Sequence, residues 1–252
     1  MDEVRERMLE MVKKAESSAQ PLSWFEDLYR HSNRDRGQIP WDWEEPHPFL
    51  VEWSNENEAS GRALVVGSGL GEDASFLWDR GWSVTAFDIS EEAVEWARHL
   101  HNETDIEWVV GDLLNPEQDW FGEFDLVVEV HILQAIPEEI RARASPNLAP
   151  LLASGGSLVC IGRLADESNM EDSGPPWSLT WGFLNQIGEG LEEVEQHSAF
   201  IPEKEGKRYR AVWKRHDESS IWCDGDPLAF RPHLKPSRNI PGDVIVRDIS
   251  IC

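Results

Sequence analysis

Basic residues are scarce in this sequence: 23 Lys and Arg stand against 48 Asp and Glu, a formal charge of −25 over 252 residues. A polyanion is held mainly by Lys and Arg that displace its counterions, and no basic run or stripe occurs here, so no nucleic-acid partner is expected. The acid surplus reads as a solvating surface, not as a sign of a cationic partner. Cysteine is equally sparse. Cys160, Cys223 and Cys252 are too few and too scattered for a disulfide framework, and no CxxC pair offers a zinc site. The expectation is a reducing compartment and no metal. Nothing approaches the roughly 18 apolar residues of a membrane span. The opening MDEVRERMLEMVKKAES alternates acid and base instead of placing a basic stretch before an apolar one. A soluble, cytoplasmic protein is expected. Also missing are GxSxG, the P-loop and HExxH, which leaves serine-hydrolase, nucleotide-hydrolase and zinc-protease chemistry without support.

What the sequence has in quantity is tryptophan, 13 in all, and an apolar content of 40% that suffices for one large α/β domain. Trp24, Trp41, Trp43 and Trp53 precede the first expected strand. Tryptophan usually builds core, but several in an irregular segment also suit the wall of a ligand pocket.

The hydrophobic period gives the elements. Val4, Met8, Met11, Val12 and Ala15 share one face of a helix over residues 2–18, stopped by Pro21. A short amphipathic piece and the Trp/Pro-rich stretch IPWDWEEPHP complete an N-terminal cap over residues 1–60. From Ala63 short apolar runs alternate with helical segments, the mark of βαβ units and a parallel sheet buried on both faces. Strands are expected at 63–67, 83–88, 106–112, 124–130 and 157–163. Helices are expected at EDASFLWDRG, EEAVEWARHLH, a short piece near PEQDWF, PEEIRARASPNLAPLLASGG ending at Gly155-Gly156, and 179–188. LEEVEQHSAF and RYRAVWKRH, joined by IPEKEGK, should pair antiparallel at one edge and complete a domain over 61–216. Residues 217–252 read as an irregular extension ending in a short strand, DVIVRDI.

The strongest local signal is ALVVGSGLGEDASFL, a buried strand running into Gly67, Gly69 and Gly71 and then an acidic helix start at Glu72-Asp73. Glycines let the chain turn tightly and let a ligand lie against the backbone. The spacing is GxGxG and not the GxGxxG of dinucleotide folds, and an acidic helix start would repel a pyrophosphate. It suits a ligand bearing an ammonium or sulfonium. Asp88, followed by Ile89 at the end of the next strand, can accept two hydrogen bonds from a ribose diol. Asp112, in VVGDLLN, can accept from an adenine amino group while Leu113 lies against the ring. His131 follows a buried strand as a candidate base. His99 and His101 have no partner at metal spacing.

Together these sites resemble the class I S-adenosylmethionine-dependent methyltransferases, across residues 63–165. The resemblance implies a Rossmann-like seven-stranded sheet, mostly parallel, with helices on both faces and the last strand antiparallel. It also implies Gly67, Gly69 and Gly71 at the methionine end of S-adenosyl-L-methionine, Asp88 with Ile89 at the ribose, and Asp112 with Leu113 at the adenine. A finer resemblance lies in WFEDLYRHSNRDRGQIPWDWEEPHPFLVEW, FDLVVEVHILQAIPEEIRARASPNLAPLLASGGSLV, PPWSLTWGFL and YRAVWKR, which look like the thiopurine and thiol/halide methyltransferases. By that resemblance Trp24, Leu28 and Trp41 close over the cofactor as a lid, and Glu129, Val130 and His131 sit beside the reactive methyl, with Glu129 and His131 as candidate bases. The expected activity is methyl transfer to a nucleophile on a small molecule, with thiol, halide, hydroxyl and amine acceptors all open. A nicotinamide-dependent oxidoreductase and a non-catalytic binding protein of the same fold are the alternatives.

Overall fold

The computed structural model describes residues 3–165, 175–202 and 204–217. Its frame is a seven-stranded sheet built from β1 (Arg62–Val66), β2 (Ser83–Asp88), β3 (Glu107–Val110), β4 (Phe124–Val130), β5 (Leu152–Arg163), β6 (Glu192–Phe200) and β7 (Lys207–Lys214). The strand order is β3-β2-β1-β4-β5-β7-β6. Pairing is parallel from β3 through β5, and β7 runs antiparallel to both neighbours. The terminal hairpin pairs as its sequence suggests. Its last strand nevertheless lies inside the sheet, leaving β6 at the edge with Val194 and Phe200 exposed.

Residues of β1 and β4 are buried on both faces, which is why they read as unbroken apolar runs without alternation. One face is covered by α1 (Glu3–Glu16), α2 (Ser23–Ser32), α6 (Glu138–Ala144) and α7 (Trp181–Ile187), through Met8, Trp24, Leu28, Ile140 and Leu184. The other carries α3 (Pro48–Glu56), α4 (Glu72–Asp79) and part of α5 (Glu91–Leu100), through Leu50, Trp53, Leu77 and Val94. Strand order reverses between β1 and β4, so the crevice beyond their carboxyl ends is the place where such sheets bind ligands.

The structure departs from the sequence reading in three places. The helix expected over 137–156 stops at Ala144, because Pro146 and Pro150 remove donors from its ladder; two 3₁₀ turns follow, and β5 already begins at Leu152, running through Gly155-Gly156. The third strand is shorter than expected: it ends at Val110, where Gly111 N donates the last ladder bond to the Asp88 carbonyl at 2.9 Å. Residues 22–53 are largely helical, with Trp24 in α2 and Trp53 in α3, so only the stretch between α2 and α3 matches the irregular segment expected there. The strand expected at DVIVRDI lies outside the described residues. Among the described residues no helix is long and apolar enough to cross a membrane.

Candidate active site

A cavity of about 400 Å³ opens over the carboxyl ends of β1, β4 and β5. Its floor is the turn after β1. Gly67 and Gly69 have φ of 60° and 54°, in the left-handed region that favours glycine. A Cβ on Gly69 would point at the cavity wall, 3.1 Å from the Tyr29 hydroxyl. Gly71 also lines the cavity, where it packs against the ring of Trp108. Asp88 holds this turn to β2: one carboxylate oxygen accepts from Gly69 N and the other from Ser90 N, both at 2.9 Å. Burial raises the Asp88 pKa, and the backbone N–H groups of Ser90, Gly69 and Ile89 oppose that shift. Each oxygen keeps a lone pair for a ligand, as a ribose diol requires.

A second cavity of about 360 Å³ lies on the far side of Ile89, lined by Ile89, Asp112, Leu114 and Ile140. Asp112 is fixed there by accepting from Leu114 N at 2.8 Å. The Asp88-Ile89 peptide thus stands between two cavities, a layout that fits a ligand with one end over the glycine turn and a flat ring beyond β2. Leu113 is the exception to expectation: it is buried in the core while its carbonyl accepts from Asn147, and Leu114 supplies the wall instead.

The cap contributes aromatic walls. Trp24 stacks on Phe25 at 3.9 Å and meets Trp41 edge-on at 5.8 Å, and Trp41 Nε1 donates to the Tyr29 hydroxyl at 3.0 Å. Trp24, Phe25, Tyr29 and Trp41 all line the cavity, whereas Leu28 is turned into the core. The acidic helix start does different work from that expected. Glu72 pairs with Arg36 at 2.6 Å, and Arg36 also holds Asp42. The hydrogen bonds Arg36 donates to Asp42, more than the one it donates to Glu72, keep the guanidinium firmly charged. Asp73 accepts from the backbone N–H of His47, and burial pushes its pKa up to about 6. Both acids tie the cap loop to α4, so the charge they offer a cationic ligand is much reduced.

The other end of the cavity, beyond β4 and β5, holds Val130, His131, His47, Arg163 and Arg208. Glu129 is not among its walls. It is fully buried, and its Oε1 accepts from Ile132 N at 2.6 Å and Leu133 N at 2.9 Å. Burial drives its pKa up to about 7 against those two amides. Oε1 fastens the turn after β4, while Oε2 is buried without a hydrogen-bond partner. His131 does line the cavity, at φ 66° and in ring contact with His47 at 5.2 Å and Trp43 at 5.6 Å. Its pKa is lowered to about 3 by burial, then by Arg208, Arg163 and Lys204; that of His47 falls to about 2 by burial, then His131, Arg208 and Lys204. Both imidazoles are neutral at physiological pH and take up protons poorly. Among the described residues no cluster of His, Cys, Asp or Glu is arranged to hold a metal.

Of the residues at these two cavities, sequence reasoning named the glycine turn and both aspartates but not Tyr29, Arg36, His47, Arg163 or Arg208. Trp43 and His47 sit in a stretch already marked by its tryptophans and prolines. Arg163 and Arg208 meet only because β7 inserts beside β5, a pairing no local pattern announces.

A sheet of this order with one reversed strand, and a glycine turn pinned by an acid at the end of β2, is the architecture of the class I S-adenosyl-L-methionine-dependent methyltransferases. Comparison with known proteins gives the particular group. The family model "Thiopurine S-methyltransferase (TPMT)" matches residues 30–221, and the chain belongs to that family. A thiopurine S-methyltransferase of Vibrio cholerae is 27% identical over 212 residues, covering 76% of this chain and 94% of that protein. Thiocyanate methyltransferase 1 of Brassica oleracea is 26% identical over 188 residues, covering 71% and 81%. The N-methyltransferase NodS of Bradyrhizobium japonicum, solved with S-adenosyl-L-homocysteine, shares the fold at a TM-score of 0.58 and 17% identity, covering 85% of this chain and 99% of NodS. The protein is an S-adenosyl-L-methionine-dependent methyltransferase acting on small molecules, which sets aside both the nicotinamide-dependent and the non-catalytic alternatives.

Proposed function

We propose that the acceptor is a sulfur nucleophile on a small organic molecule. One observation carries this reading: among the described residues the two imidazoles at the acceptor end of the cavity are held neutral, and the buried Glu129 is not one of its walls. Glu129 is engaged behind the turn after β4, and His131 and His47 have pKa values of about 3 and 2. A hydroxyl or ammonium acceptor must lose a proton to attack, whereas a thiol ionises appreciably in solution near neutral pH. The names of the relatives, thiopurine, thiocyanate and thiol methyltransferases, support the same class.

S-adenosyl-L-methionine supplies a methyl on a sulfonium sulfur, a good leaving group that needs no acid catalyst. The chain's residues then have positioning work. Gly67, Gly69 and Gly71 receive the amino-acid end, Asp88 accepts from the ribose, and Ile89 with Asp112 flanks the adenine. Trp24 and Trp41 offer ring faces to the positive sulfur, worth about 0.5–2 kcal/mol. Val130 and His131 shape the approach of the acceptor, so that the new sulfur–carbon bond forms in line with the one that breaks and water is kept out. The cap, residues 1–60, closes over a catalytic domain of residues 61–216. Sparse cysteine and the negative charge support a soluble cytoplasmic enzyme without a nucleic-acid partner. A matched acceptor set tests the reading: 2-mercaptoethanol is expected to be methylated at least tenfold faster than ethylene glycol or ethanolamine. Comparable methylation of the oxygen or nitrogen analogue would refute it.

A further inference from the structure

We propose that the acceptor end of the cavity binds an oxyanion carried by the methyl acceptor, a carboxylate or an oxyanion of similar shape, between Arg163 and Arg208; this rests on the sulfur-acceptor reading above. The antiparallel register sets these two residues directly opposite each other, at the ends of β5 and β7 nearest the cavity. Directly opposed like charges disfavour strand pairing, so this arrangement needs a compensating group. Both side chains line the cavity, and Arg208 is only 7% exposed. Their outer nitrogens are engaged with the turn between β6 and β7: Arg208 Nη1 donates to the Glu205 carbonyl at 2.7 Å, and Arg163 Nη2 donates to the same carbonyl at 3.2 Å. Their Nε groups are buried with no hydrogen-bond partner. Among the described residues the one carboxylate within ion-pair distance of Arg163, that of Glu205, is 3.7 Å away and 84% exposed, and none lies within that distance of Arg208. Two buried guanidinium donors left open at the wall of a cavity are what a carboxylate acceptor satisfies, through charge-assisted hydrogen bonds. Burial and the neighbouring Arg163 lower the Arg208 pKa to about 10, as a charge short of a counter-ion should show. Lys204, over the Trp43 ring at 4.0 Å, adds positive potential on the same side.

Position separates this site from the cofactor's own charged end. Gly67 closes β1, and β5 lies two strands away, roughly 10 Å at the usual strand spacing. The neighbouring neutral imidazoles of His47 and His131 each have an unpartnered, buried Nε2, so they add hydrogen-bonding capacity without competing charge.

The test is calorimetry with 3-mercaptopropionate and its neutral amide, 3-mercaptopropanamide, titrated into the full chain saturated with S-adenosyl-L-homocysteine. The anionic thiol is expected to bind at least about tenfold more tightly, one decade being 1.4 kcal/mol. Arg208→Gln and Arg163→Gln should each reduce that preference below about threefold, and Arg62→Gln, at the opposite end of the sheet, should leave it unchanged. Equal affinity for the two thiols, or a preference that survives both arginine variants, overturns the proposal. Tight, arginine-dependent binding of 3-mercaptopropionate without its methylation would keep the oxyanion site and reject the sulfur acceptor.

Discussion

The two ends of the cavity are built on opposite principles. At the β1–β2 end the charged groups are already engaged by the chain, with Ser68 Oγ the one buried polar atom left open there among the described residues: Asp88 accepts from Gly69 and Ser90, Glu72 pairs with Arg36, and Asp73 accepts from His47 N. At the β5–β7 end polar groups are buried and open, namely the Nε of Arg163 and Arg208 and the Nε2 of His47 and His131. In the function proposed above, the first arrangement is a cradle in which the cofactor would meet preset backbone and leftover lone pairs. The second leaves its hydrogen bonding to whatever acceptor enters. A conserved reagent at one end and a variable partner at the other explain the contrast, and each end can be broken separately.

The largest effect is expected from Gly69→Val. A branched side chain at φ 54° is strained, and its Cβ would crowd the cavity wall at Tyr29. Cofactor binding should fall below detection in calorimetry while circular dichroism remains that of a folded protein; retained binding would show that the turn is not the cradle. Asp88→Ala comes next. Loss of a buried acceptor costs about 1–3 kcal/mol, roughly 5- to 150-fold in cofactor affinity. Acceptor binding should be much less affected, and an equal loss at both ends would merge what the comparison separates. Trp41→Ala should weaken the cofactor roughly 2- to 30-fold, from about 0.5–2 kcal/mol of lost cation–π attraction. Hydrogen exchange sharpens the lid assignment: protection on cofactor binding should rise for residues 39–47, with little change in the packed helix α3. Uniform behaviour across 22–53 would favour fixed packing.

The smallest effect is electrostatic and concerns stability. Asp73 and Glu129 have raised folded pKa values, about 6 and 7, so their contribution is present at low pH and is lost as pH climbs through those values. His47 and His131 have lowered values, about 2 and 3, so theirs is present above the unfolded value near 6.5 and is lost as pH falls. Between about pH 4.5 and 6 the two pairs oppose each other. Below that window the unfolded carboxylates protonate too, so their opposition fades while the imidazoles go on contributing to the slope. His131→Asn, a residue that tolerates the left-handed backbone, should therefore flatten the acid limb of urea-denaturation stability by about 1.4 kcal/mol per pH unit between pH 3.5 and 4.5. An unchanged slope would mean that His131 is not held neutral.

The same contrast explains what was legible in the sequence. The cradle is made of contiguous segments, a strand, a glycine turn and an acid at the next strand's end, so periodicity and spacing reveal it together with the sheet that carries it. The acceptor end joins residues far apart in the chain, His47 from the cap, His131 after β4, Arg163 at the end of β5 and Arg208 at the start of β7; the β5–β7 register unites the arginines, and packing of the cap against the turn after β4 unites the histidines. Glu129 shows the limit from the other direction. A carboxylate at a strand end reads as a base, but its fate depended on whether two backbone amides of the following turn were within reach, and they were. Glu72 failed likewise as a free anion, because Arg36 lies 36 residues away in sequence and 2.6 Å away in space.

The central claim, methyl transfer to sulfur without a protein base, is tested most directly by the pH dependence of single-turnover transfer from S-adenosyl-L-methionine to two thiols of different acidity. The account predicts that the rate rises with each thiol's own ionisation and then levels, with the midpoint moving from one thiol to the other and no common titration near pH 7 or pH 3. A midpoint shared by both thiols would mean that a group on the enzyme takes the proton, and would contradict the account.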